Sequence, residues 1–209
     1  MRYIASLMIV VIASSVHAMQ IPPEAEEAKV VQIYSQDELV NLIKQNKHLQ
    51  RVQQDECQLV QDIQARADVM KLPSYQHLFG DMLMFGVCVP KDAERGWDLV
   101  KAAALQGSPE ALEQVGRYYQ QGKIVQKDLT KAREFLYQAG AMGNLAAQVR
   151  LAELLLADVG SPRDYETVYR WLHHSITADE DMHLRVQKAL AGLAKRMPAA
   201  VLERAKRPL

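Results

Sequence analysis

Leu39, Leu42, Ile43, Leu49 and Val52 recur at threes, fours and nearby steps, as one face of a helix does. Leu59, Val60, Ile63, Ala67 and Met70 carry a second helical stripe. Ahead of the first, Ser35-Gln36-Asp37-Glu38 reads as a capping box, in which Ser35 accepts from the backbone amide of Glu38 while the Glu38 side chain reaches back. Neither stripe has a Gly or Pro in its interior, and Pro73 ends the second.

From residue 73 a longer period takes over. Gly80, Gly86, Val89 and Asp92 return as Gly116, Gly122, Val125 and Asp128 at a step of 36 residues, and the same step then reaches Ala152, Asp158, Ser161 and Asp164. Leu99, Ala103 and Gly107 answer to Phe135, Ala139 and Gly143, then to Trp171, Ser175 and Asp179. A period in this range marks a helical repeat array, where each unit buries its apolar face only against its neighbours. In the second unit Ala111, Val115 and Tyr119 face one way, and Gly116 admits the close approach of a neighbouring helix. Gly122 ends that helix by taking the left-handed conformation without a Cβ clash. Asp128 caps the next helix, whose inward stripe is Ala132, Phe135, Leu136 and Ala139.

The expected fold is therefore all-α: a short α-solenoid of TPR-like helix-turn-helix repeats with N- and C-terminal capping helices. Three units span about 73–109, 110–145 and 146–180, after an N-terminal helical segment at 35–72. Residues 181–209 supply a capping helix, with Leu184, Val186, Leu190 and Leu193 as its stripe and Pro198 as its end, and then a basic tail. Arrays of this kind usually hold other proteins, which points to binding and away from catalysis.

Charge adds little at first sight. The 209 residues balance 25 basic against 25 acidic side chains, and aromatics make up 6%, so neither a basic field nor a stacking platform suggests nucleic acid. The balance hides an asymmetry. The segment after the leader is acidic, whereas Arg185, Lys188, Lys195, Arg196, Arg204, Lys206 and Arg207 make the end of the chain basic. That end reads either as a solvated helix face with a frayed tail or as a docking patch for an acidic partner.

Residues 1–18 read as a secretory signal peptide: Arg2 is the positive n-region, Ile4 to Ile12 the short apolar core, and Val16-His17-Ala18 the cleavage motif. The apolar run falls short of the roughly 20 residues that span a bilayer, and no later segment is long and apolar enough to do so. Residues 19–34, with Pro22-Pro23 and an acidic cluster, are expected to be a flexible lead-in. Export makes the two cysteines, Cys57 and Cys88, candidates for a disulfide, closing a loop of about 30 residues worth roughly 3 kcal/mol. The competing reading is one buried thiol and one reactive one.

The units are unequal. Gln114, Tyr118, Gln120 and Gln121 of the second become Leu78, Met82, Met84 and Phe85 in the first, which gives the first unit apolar surface outside the repeat's own core positions. Such a patch must be covered or must bind something. A Cys57–Cys88 bridge would clamp the preceding helix over it; otherwise the patch is open to a partner helix. On the second unit Gln114, Arg117, Tyr118 and Gln121 are candidate contacts of the repeat face.

No nucleophile elbow, phosphate loop or zinc signature occurs, so neither catalysis nor a cofactor is expected. His173-His174, even with His183, makes a poor metal pair, because adjacent helical side chains point about 100 degrees apart.

Together these residues resemble one family. The second unit's Ala-x-x-x-Val-Gly-x-x-Tyr-x-x-Gly, Val-x-x-Asp and Ala-x-x-Phe-Leu-x-x-Ala-x-x-x-Gly-Asn are Sel1-like, best in residues 111–148. A leader, then Cys57-Gln58-Leu59-Val60-Gln61-Asp62-Ile63, Tyr75-Gln76-His77-Leu78-Phe79-Gly80-Asp81-Met82-Leu83 and Gly86-Val87-Cys88-Val89 precede or open the Sel1-like units. The whole resembles the MotX family, periplasmic components of sodium-driven polar flagellar motors of the Vibrio type. The resemblance implies a periplasmic, non-catalytic protein that sits in many copies with MotY in a ring on the basal body. There it would help recruit or hold the PomA–PomB stator through its periplasmic region. It also implies Cys57 and Cys88 as a structural disulfide. The alternative function is a periplasmic Sel1-repeat adaptor unrelated to motility; a Sel1 hydrolase-like protein fits less well, with two cysteines and no catalytic set.

Overall fold

The computed structural model describes residues 33–207. The expected leader, and the lead-in up to residue 32, lie outside the described residues. Among these residues there are eleven helices and no strand. Three short helices come first: α1 (Gln36–Lys44), α2 (His48–Gln54) and α3 (Val60–Asp68). Three antiparallel pairs follow, α4 (Pro73–Phe85) with α5 (Ala93–Leu105), α6 (Pro109–Gln121) with α7 (Leu129–Ala141), and α8 (Leu145–Leu156) with α9 (Asp164–His173). Two closing helices, α10 (Glu180–Ala194) and α11 (Ala199–Ala205), pack back on the third pair.

The same local devices build each pair. Pro73 and Pro109 open α4 and α6, where a missing N–H costs nothing. Gly86 and Gly122 close them in the left-handed region, at φ 69° and 70°. Asp92 and Asp128 then cap α5 and α7, accepting from the amides of Arg95 and Lys131 at 3.0 Å. In the third pair Asp158 stands where the glycine was and still takes φ 62°, a conformation Asp tolerates better than most residues. Its carboxylate is held by Arg196 at 2.8 Å.

The glycines inside the helices set how closely each pair packs. A Cβ on Gly116 would lie 2.7 Å from Leu136 Cγ, so α7 does approach α6 there as the sequence predicts. The first pair is tighter still. A Cβ on Gly96 would meet the Gly80 carbonyl oxygen at 2.5 Å and Met84 Cγ at 2.7 Å, so two facing glycines bring α4 and α5 together. Ala132, Leu136 and Ala139 are fully buried, while Phe135 stays partly exposed and stacks with Tyr119.

Five expectations need correction. The first stripe is not one helix: it breaks between α1 and α2, where Asn46 adopts φ 55°, a value Asn accepts. The capping box is half formed. Ser35 Oγ accepts from Glu38 N at 3.1 Å, but the Glu38 carboxylate faces Arg51 at 3.9 Å. The lead-in ends before Tyr34, which is buried, donates to Asp55 and accepts through its carbonyl from the Tyr75 hydroxyl. The basic end is not a frayed tail as far as residue 207: α11 forms after Pro198, and Arg185, Arg196 and Arg204 pair with Glu153, Asp158 and Glu166. Within α10 the inward residues are Val186, Ala189 and Leu193, whereas Leu184 is exposed.

A Cys57–Cys88 disulfide joins the turn after α2 to the loop between α4 and α5, with the Cα atoms 5.5 Å apart. Both cysteines take φ 61°. For Cys88 this belongs to the repeat and not to the bridge, since Ile124, 36 residues on, takes φ 68° without a disulfide. The bridge thus reuses a loop geometry the array already has.

Two measurements test this packing. Gly96→Ala should lower the unfolding free energy by about 1–3 kcal/mol in denaturant titrations, because the backbone of α4 blocks the new methyl group. Cys57→Ser should cost about 3 kcal/mol, and a reductant should bring the parent protein to the same midpoint. An unchanged midpoint in either state would remove the clamp.

Candidate functional site

The first helix of each pair (α4, α6, α8) contributes to one face of the array, and a groove of about 760 Å³ runs along it. One end is closed by Ile43, Lys44, Asn46 and His48 from α1, α2 and the turn between them; the other is closed by Thr177, Asp179 and Met182 beside α10. His77 of α4, the length of α6 from Pro109 to Gln121, and the start of α8 with Arg150 line it between these ends.

A buried polar network lies at its base. Asp81 of α4 accepts from His48 Nε2 at 2.7 Å and from Gln114 Nε2 at 2.5 Å, so one carboxylate ties α2 and α6 to α4. Because an ionised carboxylate only accepts, His48 must carry its proton on Nε2, and the Gln114 amide must turn its nitrogen to Asp81. Gln114 Oε1 then accepts from His77 Nε2 at 2.8 Å. Each imidazole therefore presents Nε2–H to its acceptor, and among the described residues neither buried Nδ1 atom has a hydrogen-bond partner. Burial pushes the His77 pKa down, although the Asp81 charge opposes it. Burial works against the Asp81 charge too, yet the His48 hydrogen bond, the charge on the nearby histidines and the Gln114 amide hold its pKa below the ordinary carboxylate value. The Tyr118 hydroxyl, 3.4 Å from Gln114, is pushed up to about 12 by burial and by the Asp81 charge.

Above this base the groove is charged. Glu113 Oε1 lies 2.8 Å from Arg150 Nε and 3.3 Å from Arg117 Nε, so two guanidinium groups share one carboxylate. Lys44 sits 3.7 Å from Glu110. The hydrogen bonds of Asp81 to His48 and Gln114 join α2, α4 and α6 as a polar staple.

The residues singled out from the sequence fall into two places. Leu78 and Met82 are fully buried beneath α1–α3, in a cluster with Leu39, Val52, Leu59 and Ile63. Met84 is buried on the other side, with Trp97 and Val100, and so does belong to the repeat's own core. Phe85 remains 41% exposed, with Lys123 Nζ 4.7 Å above its ring. Gln114, Arg117 and Gln121 line the groove, whereas Tyr118 is buried behind it. His173 stacks on Tyr169 and His174 faces the Arg207 carbonyl. Among the described residues no group of three or more His, Cys, Asp or Glu could hold a metal ion.

His48, His77 and Asp81 were the residues that sequence reasoning missed. The signal lay in the register: the positions of His77 and Asp81 are Glu113 and Arg117 in the second unit, an exchange of a partly exposed ion pair for a buried histidine–aspartate contact.

Comparison with known proteins agrees with this architecture. The Sel1 repeat family matches residues 73–108, 109–144 and 145–173. The sodium-type polar flagellar protein MotX of Vibrio parahaemolyticus is 51% identical over 203 residues, covering 97% of this chain and 94% of that one. Among solved structures, a Sel1 repeat protein from Oxalobacter formigenes has a TM-score of 0.55 at 22% identity, covering 62% of this chain and 97% of that one. A protective antigen of uropathogenic Escherichia coli with an SLR fold has a TM-score of 0.52 at 20% identity, covering 82% and 43% respectively. These two show the fold alone.

The network makes stability depend on pH in a definite direction. His77 binds a proton less readily when folded, so stability is full above the unfolded histidine value of about 6.5 and falls as pH drops through it. The Asp81 contribution is lost only further down, below the ordinary carboxylate range. Thermal melts from pH 8 to 5 should show this loss, and His77→Gln should flatten it; a slope unchanged by that substitution would contradict the network.

Proposed function

Because the chain belongs to the MotX family and carries three Sel1 repeats, we propose that it is a non-catalytic component of a sodium-driven polar flagellar motor. It is exported by its leader to the periplasm and joins the basal body there. Many copies sit with a MotY-like protein in a ring that helps assemble or anchor the stator, through the periplasmic region of a PomB-like subunit. The near-full-length likeness to MotX carries this reading.

The geometry supports it in a general way. A solenoid with both ends covered presents a long, preformed face, and binding to such a face requires little ordering of the scaffold. The polar staple at the groove base fixes the angle between the N-terminal helices and the first two units, so the face is held by side-chain geometry as well as by packing.

Deleting the gene in a polarly flagellated host should leave filaments assembled but not rotating, and basal bodies isolated from the parent strain should retain the protein. Unchanged swimming with an intact flagellum would end the motor assignment and favour an adaptor unrelated to motility.

A further inference from the structure

The loop between α6 and α7 carries a side chain that the fold does not use. Ile124 stands there at φ 68° and is 41% exposed. A β-branched residue is strongly disfavoured at positive φ, because its Cβ crowds the following carbonyl group. The two equivalent positions, 36 residues away on either side, resolve this differently. Gly160 takes a positive φ with no Cβ to crowd, and Cys88 accepts the conformation as one end of the disulfide. Ile124 has neither justification. It belongs to neither buried apolar cluster, so the chain gains no core packing from holding it there.

Phe85 is joined to it. That ring ends α4, is also 41% exposed and likewise belongs to neither cluster. Lys123, the residue before Ile124, lays its ammonium group over the Phe85 ring at 4.7 Å and so links the two side chains into one patch. The rim of the patch is cationic. Lys123 and Lys127 bracket Ile124, and among the described residues neither pairs with a carboxylate. The loop's one acid, Asp128, is turned to the N-terminus of α7, where it accepts from the Lys131 amide at 3.0 Å and faces the Lys131 ammonium group at 3.6 Å.

We propose that Ile124 and Phe85 anchor an interface with a folded partner protein, which presents an apolar pocket rimmed by Asp or Glu side chains. Backbone strain fixes the direction in which the Ile124 side chain leaves the loop, and a fixed direction adds affinity only against a pocket of defined shape. A fluid lipid surface gains nothing from it, and two half-exposed side chains offer little area to insert. The partner's carboxylates seat on Lys123 and Lys127, which have no counter-charge of their own. Anchors of this kind, centred in a contact and ringed by polar groups, carry most of its affinity. The surface is assigned whichever assembly the partner belongs to, so it goes beyond the motor reading and stands apart from it.

Photo-crosslinking in the polarly flagellated host tests it, with p-benzoylphenylalanine in place of Phe85 in the full chain. The expected result is one adduct to another protein, which mass spectrometry maps to a surface peptide with Asp or Glu among apolar residues. Its yield should fall about tenfold or more with Ile124→Asn, and by a similar factor with Lys127→Glu. Asn accepts positive φ, so the Ile124→Asn protein should unfold at a midpoint no lower than the parent's. No adduct, an adduct with lipid or with a second copy of the chain, or a yield indifferent to either substitution would overturn the proposal. So would a lowered midpoint for Ile124→Asn, since Ile124 would then be serving the fold. Swimming after gene deletion decides the role and leaves the crosslinking result untouched, so the two readings fail separately.

Discussion

A stack of helix pairs has two open ends, and everything particular to this chain follows from how it covers them. Each unit buries its apolar face against the next, so the first and last units would leave theirs in water. The problem is most acute at α4, where the eleven residues from Ser74 to Met84 are all buried. A helix buried all round needs neighbours on every side. The array supplies α5, packed against it through paired glycines, and α6 through Gln114, and α1–α3 supply the rest. Three short helices have little intrinsic stability of their own. The disulfide and the Asp81 staple hold them in place at two points, one covalent and at the loop between α4 and α5, one polar and at the groove base.

The other end is closed by different means. Val186, Ala189 and Leu193 bury α10 against α8 and α9, and Gly192 lets it approach Leu156 closely. Arg185, Arg196 and Arg204 then pair with acids of the third unit. Solvent screens pairs of this kind, so apolar packing supplies most of the stability and the charges set the register. This is why the third unit can lose the glycine that ends the first helix of each earlier pair. Asp158 keeps the left-handed turn and gains Arg196 as a partner, which a glycine would not.

The features legible in the sequence were local or periodic. Gly116, Gly122 and Asp128 announced a close approach, a helix end and a cap because each task suits few residue types, and the 36-residue step multiplied the signal. The stripe from Leu39 to Val52 misled because periodicity continued across Asn46, whose left-handed turn changes direction without a Gly or Pro. The candidate groove was partly visible in Gln114, Arg117 and Gln121 as polar residues on a repeat face. Its base was not. His48, Asp81 and Gln114 come from three helices, 33 residues apart at each step, and no pattern in one chain pairs a histidine with a distant aspartate. The basic end was misread for the same reason, since its acidic partners lie 32 to 38 residues upstream.

The claim at the centre of this account is that α1–α3 are an integral end of the array, held by the bridge and the staple. Native-state hydrogen exchange, followed peptide by peptide with the disulfide intact and reduced, tests it most directly. The account predicts that the amides of α1–α3 share the protection of α4 in the oxidised protein and lose it first on reduction, while α6–α9 stay protected. Fast exchange of α1–α3 in the oxidised protein, beside a protected α4, would contradict it.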